Sequence, residues 1–272
     1  MLEIESKMQN FLKGKNIIIT GASSGIGRQI SLSFSERGAN ILAVARNTGK
    51  LDKLAHDSSR NSGKIVPFSV DLLELDSASL IIAKAKCEFG KIDILINNAG
   101  IGYEKDFAEQ NKNEIDSVLN TNLISPVYLT KEVLPEFIKN KEGIIFFITS
   151  LAGKIGFPKL APYSASKFGV EGFAETIREE LRSKNIKVVV VRPGITDTDF
   201  FDKAGMNEYY NSVKLNNKIY STDSVVKEVI RNINNLPEVM TIGSDKIFLK
   251  ILPLIPYKWR FRLLDFVNSL LN

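Results

Sequence analysis

Apolar residues fall into short unbroken runs, separated by longer stretches in which they recur every three or four positions. The runs are NIIIT (16–20), NILAVAR (40–46), KIVPFSV (64–70), IDILIN (92–97), GIIFFIT (143–149), KVVVVRP (187–193) and a shorter EVMTIG (238–243). Near-continuous Ile, Val and Phe is what strands covered on both faces require. Between them, Ile26, Ile30 and Phe34 repeat at a helical interval over 25–37, and 76–89, 112–139 and 162–184 predict further helices. Strands alternating with helices of this length need right-handed crossovers, and so a parallel sheet with helices on both faces. The pattern predicts one doubly wound α/β domain over residues 1–244, with about seven strands. It loosens over 195–217, where polar residues dominate and a mobile loop with short helices is expected.

Composition narrows the setting. The 272 residues include one cysteine, Cys87, so no internal disulfide can form and a reducing cytoplasmic compartment fits. A single histidine, His56, rules out a histidine-based metal cluster, and no metal is expected. The start, MLEIESKMQNFLKGK, has neither a long apolar core nor a small-residue cleavage site, unlike a secretory signal. No apolar run reaches the ~18 residues of a spanning helix. Of the net charge of +5, four charges fall within 246–272, which leaves the rest near neutral and argues against nucleic-acid binding.

That tail, 245–272, has its own pattern. Trp259, Leu263, Phe266 and Leu270 form one helical stripe with Val267 and Leu271 beside it, while Lys258, Arg260, Arg262 and Asp265 fall largely elsewhere. A basic amphipathic helix suits peripheral contact with an anionic membrane. It equally suits packing on the domain, on a partner subunit or at a substrate entrance. Each reading favours an apolar substrate.

The first strand runs into TGASSGIG (20–27) and then a helix. Gly21, Gly25 and Gly27 permit positive φ and close backbone approach. The free N–H groups of the helix start favour a phosphate. Strand, glycine turn and helix in this order point to a dinucleotide; the bland alternative is a tight turn that holds nothing.

A second constellation follows. Tyr163 and Lys167 in APYSASKFGVEGF lie four apart on a predicted helix and so share a face. A free phenol has a pKa of about 10, and a neighbouring ammonium favours the phenolate. Lowering it by about two to three units takes roughly 3–4 kcal/mol, which a lysine in a partly buried cleft can supply. Ser150 ends the apolar run GIIFFITS, where its hydroxyl could polarise a carbonyl. Taken singly, Ser150 could be a strand cap, Asn122 a helix-bend residue and Lys167 a solvated charge.

Together these motifs resemble the short-chain dehydrogenase/reductase family, in its smaller single-domain members. TGASSGIG matches the family's T-G-x-x-x-G-x-G, INNAG (96–100) its N-N-A-G, and RPGITDT (192–198) its P-G-x-x-x-T. Asp71 in SVDLL matches the acid near the adenine, and Asn122 in LNTNLISPVYLT the asparagine that bends its helix and links a water to the lysine. Ser150 and Tyr163-x-x-x-Lys167 stand at family spacing. The resemblance implies a Rossmann fold and hydride transfer between a nicotinamide and a carbonyl or secondary alcohol. It implies Asn122, Ser150, Tyr163 and Lys167 as the catalytic set, with Ser150 and Tyr163 holding the substrate oxygen. It implies cofactor contacts from Gly21, Ser23, Ser24, Gly25, Ile26, Gly27, Arg46, Asp71, Leu72, Asn98, Ala99, Gly100, Tyr163, Lys167, Pro193, Gly194, Ile195, Thr196 and Thr198. It also implies a homodimer or tetramer through 112–139 and 162–184.

Cofactor choice turns on the end of the second strand. A carboxylate there would bond the ribose of NAD and repel a 2′-phosphate. The chain has Ala45, Arg46 and Asn47 instead, and Arg46 can pair with a phosphate, so NADP(H) is expected over NAD(H). The bland alternative for Arg46 is a solvated charge, and Ser24 stands where some NADP-preferring members carry a second basic residue. The expected substrate is a small apolar ketone or alcohol of acyl, lipid or steroid-like type. Two rival functions are a dinucleotide-binding redox sensor without turnover and a membrane-associated scaffold. Sugar-nucleotide epimerases share the Tyr and Lys but differ in length and glycine spacing.

Overall fold

The computed structural model describes residues 11–207, 210–211, 219–243, 256 and 259. Strands β1 (Asn16–Thr20), β2 (Asn40–Ala45), β3 (Ile65–Ser69), β4 (Ile94–Asn97), β5 (Gly143–Ile148), β6 (Ile186–Pro193) and β7 (Val239–Ile242) form one sheet in the order β3-β2-β1-β4-β5-β6-β7. Every pairing is parallel, with Ile18 of β1 level with Leu42 of β2 and Leu95 of β4. These are the seven predicted runs, the first unchanged and the others differing by one or two residues at their ends. Strand order reverses between β1 and β4, and a crevice opens there beyond the strands' carboxyl ends.

Alternation along each strand builds two cores. Ile17, Ile19, Ile94, Ile96, Phe146 and Val191 face one side, where α1 (Gly25–Glu36), α2 (Thr48–Asp57) and α8 (Thr222–Asn232) pack. Ile18, Leu42, Leu95, Phe147 and Val190 face the other, under α3 (Ser77–Phe89), α5 (Ser125–Asn140) and α6 (Ala161–Leu181). Side chains that alternate between two buried faces give the unbroken apolar runs of the sequence.

Three helical features depart from the periodicity reading. The stretch 112–139 is divided into α4 (Lys112–Leu119), a π-helical turn at Asn120–Ile124, and α5. The extra residue of the π turn turns Asn122 inward, where it is 1 % exposed. Helix α2 goes unpredicted because it buries only Leu51 and Leu54. Helix α8 carries an apolar stripe at Val225, Val226, Val229 and Ile230, and follows the irregular stretch that obscures it. Within 195–217, a short helix α7 (Phe200–Lys203) forms. The expected tail helix lies outside the described residues, apart from Pro256 and a half-exposed Trp259.

Candidate active site

The glycine turn is locked from beneath. Thr20 Oγ1 accepts from the amides of Asn98 and Ala99 at 3.0 and 3.1 Å, and Asn98 Nδ2 donates to the Thr20 and Gly21 carbonyls at 2.9 and 3.3 Å. The close approach requires glycine at position 21: its φ is +65°, and a Cβ there would stand 2.8 Å from Ala99 Cα. Helix α1 then starts at Gly25 behind the N-cap Ser24, whose side chain makes no capping bond, with no acid in the first turn. Uncapped first-turn amides at the crevice are a ready anion site.

At the β5 end, Ser150 Oγ accepts from the Ala152 amide at 3.2 Å, which fixes the serine at the start of a tight turn, Leu151–Gly153. Tyr163 and Lys167 share one face of α6. The Lys167 ammonium lies 5.6 Å from the Tyr163 ring centroid and donates to the Ile148 carbonyl at 3.1 Å. Behind them, Asn122 Nδ2 donates to the Ile101 carbonyl and to Ser166 Oγ, while its Oδ1 accepts from the Ile101 amide. A methyl added to Gly100 would lie 3.4 Å from Lys167 Nζ and 3.6 Å from Asn122 Oδ1, so both groups converge on that backbone.

Electrostatics correct one expectation. Burial pushes the Tyr163 phenol up to about 12, and its hydrogen bond with Ser150 only partly opposes this. Desolvation outweighs what the Lys167 ammonium, 5.6 Å from the ring centroid, can offset. Burial in turn pushes Lys167 down to about 8, against the charge of Glu171, which raises it.

A cleft of about 1260 Å³ runs along the carboxyl ends of the strands. Most of the predicted contacts line it: Gly21 to Ile26 except Ala22, Arg46, Asp71, Leu72, Asn98 to Gly100, Ser150, Tyr163, Lys167, Pro193 to Thr196 and Thr198. Gly27 and Asn122 do not reach it. Gly27 is buried against the Gly21 carbonyl and Asn98, and Asn122 stands behind Ile101. The volume exceeds the roughly 300–1,000 Å³ of a drug-sized site, which suits a dinucleotide plus a second molecule.

The structure adds residues that the sequence reading passed over. Lys50, four positions after Arg46, lines the cleft and pairs with Asp199 at 3.1 Å. Arg46 lies 3.8 Å from Asp71. Two cations thus stand at the β2 end, and a second basic residue four positions after Arg46 was the available signal. Over Tyr163, an apolar wall is built from Phe157, Leu160, Phe200, Phe201 and Met206, with Phe200 at 5.3 Å from the Tyr163 ring. The uncapped helix start, the glycine turn and the two cations fit the phosphates of a dinucleotide.

Known proteins agree with this geometry. A family model described as short chain dehydrogenase matches residues 15–208. The chain is 35% identical over 192 residues to the 3-oxoacyl-[acyl-carrier-protein] reductase FabG of Thermotoga maritima, which covers 71% of this chain and 78% of that protein. A short-chain dehydrogenase from Sphingobium yanoikuyae, solved in complex with NADPH, superposes with a TM-score of 0.77 at 26% identity, over 94% of each chain. A Burkholderia phymatum relative solved with NAD superposes with a TM-score of 0.81 at 20% identity, over 88% of this chain and 92% of that one, and shares the fold. With the glycine turn, the switch-point cleft and the Ser150–Tyr163–Lys167 cluster joined in one matched segment, the chain belongs to the short-chain dehydrogenase/reductase family of oxidoreductases.

Proposed function

We propose that the protein is an NADP(H)-dependent reductase of apolar ketones, acting reversibly on the corresponding secondary alcohols. The observation that carries this reading is the meeting of Tyr163, Ser150 and Lys167 in one cleft, under an aromatic wall and beside a glycine turn flanked by Arg46 and Lys50. Gly21 to Ile26 would hold the pyrophosphate, Arg46 and Lys50 the 2′-phosphate, Asp71 and Leu72 the adenine side, and Pro193 to Thr198 the nicotinamide end. When bound, the nicotinamide supplies the hydride to the carbonyl carbon. The Ser150 hydroxyl holds the carbonyl oxygen. Tyr163 gives that oxygen its proton, as a buried phenol that stays protonated at neutral pH can do. Lys167 holds the ribose and offsets the charge left on the phenol. Asn122 fixes the Ile101 backbone and supports the water path that restores the proton.

The wall of Phe157, Leu160, Phe200, Phe201 and Met206 supports an acyl, lipid or steroid-like substrate, since polar groups would be desolvated there without partners. An NADPH-oxidation screen over ketones of graded chain length, with Tyr163→Phe as control, tests the reading. Turnover that rises with chain length and is lost in the control is expected; equal turnover in both proteins would overturn it.

Two further readings accompany it. Ile124, Tyr128 and Phe168 are exposed on the π turn, α5 and α6, and we propose that they meet a second copy of the chain. Tyr128→Glu would then halve the mass measured by light scattering. The basic stretch 246–272 supports peripheral contact with anionic lipid, which co-sedimentation with liposomes against a truncation before Lys246 tests. Among the described residues, no helix is long and apolar enough to cross a membrane.

A further inference from the structure

Glu171 lies one helical turn beyond Lys167 on α6 and is 5 % exposed. Both of its oxygens are occupied. Oε1 accepts from Arg192 Nε at 2.6 Å and from Thr149 Oγ1 at 3.1 Å. Oε2 accepts from Arg192 Nη2 at 2.7 Å and pairs with Lys154 Nζ at 3.0 Å. The carboxylate also packs on the backbone of Gly153, where a methyl would stand 2.7 Å from Oε1. A charge held this far from water needs full pairing, and removing one partner of such a set exposes the rest as uncompensated charge.

The partners are not scattered. Thr149 immediately precedes Ser150, and Gly153 and Lys154 close the turn that Ser150 opens. Arg192 immediately precedes Pro193 and Gly194, where the chain leaves β6 and lines the cleft. Glu171 itself follows Tyr163 and Lys167 on one helix. One carboxylate therefore ties together the three segments that carry Ser150, the Pro193 loop and the Tyr163–Lys167 pair.

We propose that Glu171 is a positioning residue for the proton-transfer step: it clamps the Ser150 turn and the Pro193 loop to α6, and its negative charge keeps Lys167 an ammonium ion. This rests on the reductase reading above. The surroundings of Lys167 make the second role specific. On α6 it has Tyr163 one turn before it and Glu171 one turn after it, from β5 the Ile148 carbonyl, and across Gly100 the amide of Asn122. Arg192 on β6 and Lys154 stand beyond Glu171. Burial drives Lys167 toward its neutral form, and Glu171 opposes it. Without the Glu171 charge, Arg192 and Lys154 would act on Lys167 unscreened and push in the same direction as burial.

The test uses the full chain, read in two ways. The first is the pH profile of kcat/KM with NADPH and the best ketone of the graded series. The second is a carbon-13 NMR titration of Cε-labelled lysines without nucleotide, with Lys167 assigned through Lys167→Arg. In Glu171→Gln, the Lys167 titration and the alkaline limb of the profile are expected to move together to lower pH by about one unit. At pH 6, where Lys167 is charged in both proteins, a fall in NADPH affinity is expected from the loosened Pro193 loop. Lys154→Met removes one cation from a half-exposed position and should move the Lys167 titration to higher pH, which keeps the test open if Glu171→Gln does not fold. A Lys167 titration unmoved by either substitution would overturn the proposal, as would a loss of kcat with no shift of the limb. Wild-type protein inert toward every ketone would count against the reductase reading, while the NMR titration would still judge the charge effect of Glu171.

Discussion

The side chain of Asn122 grips the backbone of Ile101 at both ends, donating to its carbonyl at 2.8 Å and accepting from its amide at 2.9 Å. The grip replaces a strand-like pairing in a loop that has none, and the π turn at Asn120–Ile124 delivers it. Asn122→Ala should leave both backbone groups unsatisfied, at a cost of about 1–3 kcal/mol. Asn122→Asp should cost more, because a carboxylate would face the Ile101 carbonyl without a donor. Urea unfolding measures the first effect. A parallel fall in turnover is expected, and full activity in the alanine variant would remove Asn122 from the site.

Tyr163 titrates far from neutrality. The phenolate absorbance difference between wild type and Tyr163→Phe should appear at about pH 12, well above the ordinary value of 10.0. The folded chain keeps this proton longer than the unfolded chain. Wild type should therefore lose stability relative to the variant as pH rises from the ordinary value toward the raised one. Turnover in Tyr163→Phe should fall by about 10²–10⁴-fold. A phenolate signal near the ordinary value would contradict the burial argument.

Burial makes the charge of Lys167 a cost to stability. Its pKa falls from 10.5 to about 8 on burial, so carrying the charge into the folded state at neutral pH costs about 3 kcal/mol relative to the unfolded chain. Lys167→Met gives up one hydrogen bond to Ile148 but removes that charge. The variant should melt higher than wild type at pH 7 while losing turnover. For a base whose folded value is depressed, wild type regains stability as pH rises through the folded value toward the unfolded one. The advantage of the variant should therefore shrink between pH 8 and 10.5. Thermal melts across that range measure it, and a lower melting point at pH 7 would refute the account.

Arg46 and Lys50 are exposed and sit at the end of β2 and the start of α2. Arg46→Asp should reverse the ratio of kcat/KM for NADPH over NADH, since the new carboxylate would repel a 2′-phosphate. Lys50→Ala should raise the KM for NADPH and weaken its salt dependence, with little change for NADH. Unchanged KM values for both cofactors would sink the assignment.

Much of this site was legible because its residues obey local rules. Seven apolar runs became seven strands, since a sheet covered on both faces leaves few polar positions, and those mostly at strand ends, to break them. Gly21, Ser150, Tyr163 and Lys167 announce themselves through spacing against those strands. The rest depends on what folds over them. Phe157, Leu160, Phe200 and Met206 converge from separate segments, and nothing in their spacing marks the wall they share. Adjacency of Tyr163 to a lysine is visible in sequence, whereas the desolvation that works against it is not. Glu171 looks like one more helix carboxylate until Arg192, Lys154 and Thr149 are seen around it.

The all-parallel sheet also governs how this site comes into being. No two neighbouring strands can be joined by a tight hairpin, so pairing waits on long crossovers. The bonds that lock the glycine turn join residues up to 79 positions apart, at Thr20, Asn98 and Ala99. Such contacts form only after distant stretches of chain have met, which makes folding slow and dominated by loop closure. A ribosome-bound chain that ends before Asn98 would carry every glycine of the turn, yet the turn would have no floor to rest on.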